Sequence, residues 1–507
     1  MSVKINNIAK NTSYLTAALV LQKIISFTYF TLLARNLGPE NLGKYYFAIS
    51  FTTVFAIFID LGLINVLMRE VAKRKDRAQL LIGSVVAIKI PLALATVGVA
   101  LLTIHLMGYP PITTHLVYLA SICMVLDSFT TTFFAVVRGF HNLIYESISA
   151  VAFQVIVLIL GLTAVYNGMN LLWIMSALVT ASVFNFTYSS AVLWKKLGIV
   201  IKPIFDKVLI RSLIRLTVPF GLYALFQRFY MHFDSVLLSI LAGDKQVGYY
   251  QIAFKIVFAL QFLPLAFVAS LYPAMSHYWI NNREQLSISF ERAISYLMII
   301  SIPISAGIAV LADKIILLFK SGYGEAILPM QIIILALFFI FINFPIGSLL
   351  NACDRQKYNT LNMGIVVATS LILNLILIPK FQAVGASITV LATNFLMTVL
   401  GFYWVERTIV YNRKKIFLIF LKSVTVAAAM GVMLMWLKNY WNIFILIPLG
   451  GIFYFFFLFL AGGYTKEDIV SVYNSFIKKI DKVKGKIKEQ KPESTDGKQK
   501  KDQHGTR

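Results

Sequence analysis

Long apolar stretches alternate with short polar ones along almost the whole chain. Because about 20 apolar residues carry an α-helix across a bilayer, the pattern predicts an all-α polytopic membrane protein with about fourteen transmembrane helices. The predicted spans are 12–34, 45–68, 79–106, 113–137, 143–166, 170–194, 214–241, 248–274, 293–319, 328–352, 361–379, 384–407, 415–437 and 442–463.

Part of this pattern occurs twice, because residues 22–48 return without a gap as residues 227–253. The aligned pairs are Gly38 with Gly243, Gly43 with Gly248, Tyr45 with Tyr250, and Ala48 with Ala253. The repeat predicts two lobes, one from spans one to six and one from spans seven to twelve. Since six is even, both copies enter the membrane in the same direction. We therefore expect a pseudo-twofold axis along the membrane normal.

Loop charge and the repeat together predict the domain organisation. Lys and Arg are concentrated in alternate loops, which predicts that both termini are cytoplasmic and that the protein lies in the cell membrane. The predicted parts are an N-terminal lobe at 1–194, a basic cytoplasmic linker at 195–213, a C-terminal lobe at 214–410, two extra helices at 411–463 and a basic cytoplasmic tail at 464–507. The tail begins with the spacing of a helix lying on the membrane, and a disordered segment is expected from about 488.

Composition supports the membrane assignment and narrows the possible partners. The chain is 59% hydrophobic and 13% charged, and its mean hydropathy is +0.78. The net charge of +24 flanks apolar segments or lies in the tail, which indicates lipid headgroups and not nucleic acid as its partner. Cys123 and Cys353 predict neither a disulfide framework nor a metal site, and no cofactor is expected. The first apolar run lacks a cleavage site and is interpreted as a true helix.

Two cations fall in the middle of apolar spans at equivalent places in the two copies, Lys23 in the first span and Arg228 in the seventh. A charge at the bilayer centre costs roughly 2.5–3.5 kcal/mol, so such residues usually face a wet cavity or an opposite charge. One stripe of the seventh span carries Arg228, His232, Ser235 and Ser239. We predict that both cations bind an anionic ligand in a central cavity. The alternative is an interhelical salt bridge.

Further charged residues interrupt the apolar spans. Lys89, just before Pro91 in the third span, and Lys255 in the eighth either extend the cationic lining or pair elsewhere. The remaining candidates are Asp60, Asp127, Asp234 and His232. The acids are interpreted as compensating charges and the histidine as a hydrogen-bonded structural group. The alternative role for all four is ion or proton coupling.

Catalytic signatures are missing from this sequence, so we predict that the protein is not an enzyme. There is no Ser/His/Asp set and no nucleotide motif. The glycine pairs 38/43 and 243/248 lack the Lys-Ser/Thr and the preceding strand of a phosphate loop. No predicted loop offers room for an active site outside the membrane, which argues against a glycan polymerase or ligase.

Several short motifs, taken in order and spacing, resemble those of prokaryotic polysaccharide flippases over about residues 1–410. They lie at residues 33–45, 60–63, 69–72, 219–221, 234–238, 248–250, 374–379 and 384–387. This family belongs to the multidrug/oligosaccharidyl-lipid/polysaccharide exporter superfamily. The resemblance implies a two-lobed transporter that works by alternating access.

The resemblance also implies a substrate, a polyprenyl-(pyro)phosphate-linked oligosaccharide moved from the inner to the outer leaflet. Basic residues on the first helix of each lobe hold the phosphates in cationic-cavity relatives, and Lys23 and Arg228 occupy comparable places. Membrane lipids and polysaccharide assembly enzymes are the further partners expected. The alternative is a MATE-type exporter of organic cations, which would favour buried carboxylates without competing cations.

Overall fold

In the computed structural model, residues 5–320 and 322–466 are described, and all regular structure in these ranges is helical. The helices are α1 (Ile5–Asp60), α2 (Leu63–Lys73), α3 (Ala78–Leu106), α4 (Pro111–Gly139), α5 (Ile144–Tyr166), α6 (Leu171–Leu197), α7 (Lys207–Ala242), α8 (Asp244–Leu260), α9 (Phe262–Asn281), α10 (Arg283–Val310), α11 (Ala312–Leu317), α12 (Ile327–Ala352), α13 (Gln356–Glu406), α14 (Arg413–Leu437) and α15 (Ile443–Leu460). The predicted tail lies outside the described residues from 467 onward.

Helix α1 is a hairpin and not one straight rod. Its apolar part, Tyr14–Asp60, has 47 residues, which would extend about 70 Å against a hydrocarbon core of about 30 Å. The backbone leaves the helical region at Gly38 (φ 72°), immediately before Pro39. The rings of Phe30 and Tyr46, on either side of this break, are 5.7 Å apart. The chain therefore reverses direction at Gly38, as the repeat predicts.

Helix α13 reverses in the same way. It has 51 residues and a non-helical backbone at Gln382 (φ 53°). Tyr358 and Trp404, near its opposite ends, stack with ring centroids 3.7 Å apart. The described residues contain eleven membrane-length helical segments plus one bent pair in α7. Dividing α1 and α13 at their breaks gives fourteen, although the number of membrane crossings stays a prediction.

The two copies of the repeat pack against each other reciprocally. A methyl group on Gly43 would overlap the carbonyl oxygen of Asp244, and one on Gly248 would overlap that of Pro39. Because each copy offers the same glycine to the same part of the other copy, the contact has the form of a twofold interface. It closes the molecule on the side of Gly38 and Gly243, here called the repeat-loop side.

On the opposite side, the linker side, a short segment joins α6 to α7. Helix α6 ends at Leu197 and α7 begins at Lys207. The connecting residues are bound to α3, because the Ile204 amide donates to the Gly83 carbonyl (3.0 Å) and the Val200 amide to Gln79 Oε1 (2.8 Å). Residues 198–206, inside the predicted linker at 195–213, therefore form a docked segment between the two helices.

Four of the predicted spans contain a break, and one of these is span 293–319, where α10 ends at Val310 and α11 begins at Ala312. The span 45–68 is interrupted where Leu61 (φ 44°) and Gly62 (φ 92°) leave the helical region, and α8 and α9 meet at Gln261. The span 214–241 is bent by 59° between Lys207–Thr217 and Gly221–Ala242. The breaks at 61–62 and 218–220 are in contact, since a methyl group on Gly221 would overlap the Leu61 carbonyl oxygen.

Candidate functional site

A buried ion-pair group lies where α1, α3 and α7 meet. The ammonium of Lys89 has no exposed surface and donates to the Ser128 carbonyl (2.9 Å) and to Thr132 Oγ1 (2.7 Å). It is 3.4 Å from the Asp60 carboxylate, and the guanidinium of Arg228 approaches that carboxylate to 4.0 Å. Asp60 is therefore shared by two cations, a position compatible with the compensating role predicted for it.

The two cations of this group differ in accessibility. The Arg228 side chain is 43% exposed, whereas that of Lys89 is enclosed by protein. Arg228 can thus contact a ligand in this conformation and Lys89 cannot. The predicted contact between Lys89 and substrate is not supported by its position. Position along a helix is visible in a sequence, but the face that neighbouring helices cover is not.

Lys23 and Lys255 form a second positively charged group beside the first. Lys23 is exposed, and its ammonium lies 3.9 Å from the centre of the Phe258 ring. The half-buried Lys255 ammonium lies 4.6 Å from the centre of the Tyr46 ring. The two lysines are close enough to repel one another electrostatically. Aromatic faces attract cations, so these rings hold both lysines without neutralising them.

A cavity of about 350 Å³, here called the cation cavity, opens beside Asp60. Arg228 and the half-buried His232 enter it from α7, and Asp127 enters it from α4. His232 is also within electrostatic reach of Lys255. The helices therefore bring Arg228, His232 and Asp60 to one cavity, with Lys255 nearby.

The polar stripe predicted on α7 is only partly cavity-facing. Ser235 accepts a hydrogen bond from the Gln251 side chain (2.9 Å), and Ser239 bonds Asp244 (2.5 Å) and Tyr109 (2.8 Å). Both serines are buried among these partners. They are packing contacts between helices, so the cavity-facing part of the stripe consists of Arg228 and His232.

Asp234 has a different environment from the one predicted. It is 4% exposed and accepts hydrogen bonds from Asn374 (2.6 Å), Tyr250 (3.2 Å) and Ser370 (3.4 Å). No Lys, Arg or His of the described ranges forms an ion pair with it. Compensation of a buried cation is therefore wrong for Asp234 in this conformation. The sequence could not show this, because its three donors come from distant segments.

A second cavity, of about 490 Å³, was missed by the sequence analysis. It lies within the C-terminal lobe and is here called the amide cavity. Its α7 wall consists of Tyr223, Gln227, Tyr230 and Asp234. These positions follow i, i+4, i+7 and i+11, which is one face of a helix, opposite to the face of Arg228 and His232. That spacing is the signal that could have revealed it, but uncharged side chains attract less notice in apolar spans.

Three relatives match about four fifths of this chain. It is 22% identical over 403 residues to a probable low-salt glycan biosynthesis flippase, Agl15, of Haloferax volcanii, covering 79% of this chain and 84% of the relative. It is also 22% identical to the capsular polysaccharide biosynthesis protein CapF of Staphylococcus aureus, covering 78% and 99%. An uncharacterised membrane protein of Methanocaldococcus jannaschii is 24% identical, covering 81% and 87%.

Solved structures show the same fold. The lipid II flippase MurJ in an inward closed conformation superposes with a TM-score of 0.73 at 16% identity, covering 90% of this chain and 99% of the other. A multidrug resistance MATE family transporter in an inward-facing conformation superposes with a TM-score of 0.62, also at 16% identity, covering 77% and 97%. The chain therefore has the same helical fold as these two proteins.

Family models agree with the relatives. A model named MatE matches residues 219–379. A model described as "Polysaccharide biosynthesis protein" matches residues 8–279, which is more than half of the chain and includes the first lobe and both copies of the repeat. This protein belongs to the polysaccharide biosynthesis protein family.

Proposed function

We propose that this protein is a flippase that moves an anionic polyprenyl-(pyro)phosphate-linked oligosaccharide from the inner to the outer leaflet. The observation that carries the proposal is the pair of accessible cations, Lys23 and Arg228, at equivalent positions of the two lobes. A structural salt bridge would not require a cation in both copies. An anion that bridges the lobes would require one from each.

The loose contact between Arg228 and Asp60 suits exchange with a phosphate. At 4.0 Å the pair lacks a hydrogen bond, and the guanidinium is partly free. A diphosphate would offer shorter, charge-assisted hydrogen bonds. Asp60 would not become an unpaired buried charge when Arg228 leaves, because Lys89 remains 3.4 Å away. Lys89 therefore acts as the resident counterion that leaves Arg228 available.

Alternating access supplies the movement. The repeat-loop side is closed by the reciprocal glycine contact, and we infer that the substrate is loaded from the linker side, which we assign to the cytoplasm. The lobes then rock about the bound diphosphate and open outward. An inside-negative potential contributes about 2.3 kcal/mol per charge per 100 mV to moving an anion outward. This favours net export without direct use of ATP.

The MatE match and two cavity acids support a second candidate, a MATE-type exporter of organic cations. Such a ligand would need carboxylates that are not already neutralised. Asp60 is shared by Lys89 and Arg228. Asp127 is then the single acid among the described lining residues of the cation cavity that has no cationic partner. The excess of positive charge favours an anionic substrate.

Membrane location and domain limits complete the proposal. We place the protein in the plasma membrane with both termini in the cytoplasm. Its lobes are 1–194 and 214–410, with α14 and α15 as additions to the second lobe. Polysaccharide assembly enzymes are its proposed partners.

Native mass spectrometry of the purified full chain tests this function. Wild type should retain a co-purifying polyprenyl-phosphate glycan, and the double variant Lys23→Ala/Arg228→Ala should lose most of it. The variant Lys195→Ala/Lys196→Ala, which removes two exposed cations at the end of α6, is the matched control and should behave as wild type.

Two results would contradict the proposal. Equal retention of the glycolipid by wild type and the Lys23/Arg228 variant would mean that these cations do not hold the substrate. If wild type retains only bulk phospholipid and binds organic cations instead, the exporter candidate is correct.

A further inference from the structure

Helix α7 is a wall shared by two cavities of different chemistry. Arg228 and His232 line the cation cavity on one face. Tyr223, Gln227 and Tyr230 line the amide cavity on the opposite face. Gln227 and Arg228 are adjacent in the chain and both side chains are exposed, so a ligand held at Arg228 can reach the edge of the amide cavity at Gln227.

The amide cavity is polar but almost uncharged. Its lining includes the side-chain amides of Gln227, Gln261, Asn343, Asn351, Asn359 and Asn394. The one charged lining residue described is Asp234, and its carboxylate already accepts three hydrogen bonds from neutral donors. Without a cation in this lining, the cavity is unsuited to a phosphate. Its amides can both donate to and accept from hydroxyl groups.

One polar side chain in this lining is buried without a partner, and a second offers its amide to the cavity. Ser348 is 5% exposed, and its hydroxyl has no hydrogen-bond partner. Asn359 is also 5% exposed and packs over Gly347, and no hydrogen bond joins its amide to any described residue. A buried polar group left unpaired costs roughly 1–3 kcal/mol, so such groups usually meet water or a ligand.

Aromatic rings complete the cavity. Tyr230 is oriented by hydrogen bonds between its hydroxyl and Thr393 (2.8 Å) and Asn394 (2.9 Å). Tyr223 lies two turns earlier on the same face of α7. Flat rings beside amides offer both an apolar face and polar edges. The volume of about 490 Å³ is within the range of small-molecule sites.

We propose that the amide cavity binds the first sugar rings of the transported lipid as a neutral, hydroxyl-rich subsite. This inference rests on the proposed flippase function. The diphosphate stays at Arg228, and the sugar next to it passes the exposed edge of α7 at Gln227 and enters the amide cavity. Ser348 and Asn359 bond its hydroxyl groups. The cations then recognise the feature common to all such lipids, and the amide cavity selects among glycans.

Binding to soluble probes tests the subsite. The probes are farnesyl diphosphate and its four conjugates with glucose, galactose, mannose or N-acetylglucosamine, titrated against the full chain in nanodiscs by microscale thermophoresis. At least one sugar should tighten binding to wild type about tenfold over bare farnesyl diphosphate. Ser348→Ala and Asn359→Leu should each reduce this sugar-dependent gain and leave the affinity for bare farnesyl diphosphate unchanged. Ser295→Ala, which removes a buried unpartnered hydroxyl outside the cavity, is the matched control.

The possible failures are distinguishable. The subsite is overturned if no sugar tightens binding, or if the gain survives in both cavity variants while bare farnesyl diphosphate still binds. The flippase proposal fails as well if Lys23→Ala/Arg228→Ala binds bare farnesyl diphosphate as tightly as wild type. A cavity variant that fails to fold would lose both affinities, and the isosteric Ser348→Ala then decides alone.

Discussion

Asp60 in the first lobe and Asp234 in the second are both buried, yet they are stabilised by different means. Asp60 is shared by Lys89 and Arg228, whereas Asp234 is held by Asn374, Tyr250 and Ser370. The two acids do not align in the repeat, although Lys23 and Arg228 do. The two cations therefore occupy equivalent positions in both lobes, as the proposed phosphate site requires, whereas each acid occurs in one lobe only.

The largest effect on stability is expected from breaking the ion pair between Lys89 and Asp60. Lys89→Met would remove the fully buried cation and leave Asp60 with Arg228 alone, 4.0 Å away. We expect a loss of about 3–5 kcal/mol in the free energy of unfolding, because one partner of a buried pair is left behind. Reversible SDS-induced unfolding of the purified protein measures it.

A second substitution provides the control. Adding Asp60→Asn to Lys89→Met removes the uncompensated charge and should recover part of the lost stability. Lys196→Met, at an exposed position, should have almost no effect. If Lys89→Met alone is as stable as wild type, Lys89 is not the resident counterion of Asp60.

An intermediate effect on stability is expected at the reciprocal contact of Gly43 and Gly248. Gly43→Ala and Gly248→Ala each force a methyl group against backbone of the other copy. We expect each to destabilise the closed repeat-loop side by about 1–3 kcal/mol. Alkylation of single cysteines introduced on that side should become faster in both variants. The control is Gly98→Ala, where no atom lies within 4 Å of the added methyl group. A clear effect at one glycine only would contradict the reciprocal contact.

The smallest effect on stability is expected at Asp234, whose hydrogen-bond partners are all neutral. Asp234→Asn keeps the size of the side chain and leaves no buried cation unpaired, so it should cost about 1 kcal/mol of unfolding free energy. Asp60→Asn, measured beside it in the same SDS titration, should cost more because Lys89 loses its carboxylate. Equal costs for the two substitutions would mean that Asp234 also holds a cation, which is the coupling role left open by the sequence.

Much of the architecture was predictable, because it depends on periodicity along one chain. The apolar spans, the two lobes and the reversal at Gly38 all follow from the repeat and from the spacing of apolar residues. Arg228, Lys255 and Asp60 could be named as site candidates because each is a charged residue in an apolar span. The break at Leu61–Gly62 was not, because apolar residues continue on both sides of Asp60 and Gly62 and so indicate one span.

What escaped prediction depends on contacts between helices far apart in sequence. Lys89 and Arg228 look alike in an apolar span, and only packing decides that one is enclosed and the other accessible. The docked linker was missed because its bonds to Gln79 and Gly83 are made by backbone atoms, which any residue type provides. The amide cavity was missed because Gln227 and Tyr230 carry no charge.

The reciprocal contact of Gly43 and Gly248 also bears on how the chain evolved. An ancestral single-length protein would have formed this contact as a homodimer, in which one codon specified both glycines. A substitution there would have damaged both halves of the interface at once. After the gene duplicated and fused, each glycine could change separately, and both copies still carry it. Fusion freed the lobes to acquire different acids, while their shared interface kept the ancestral form.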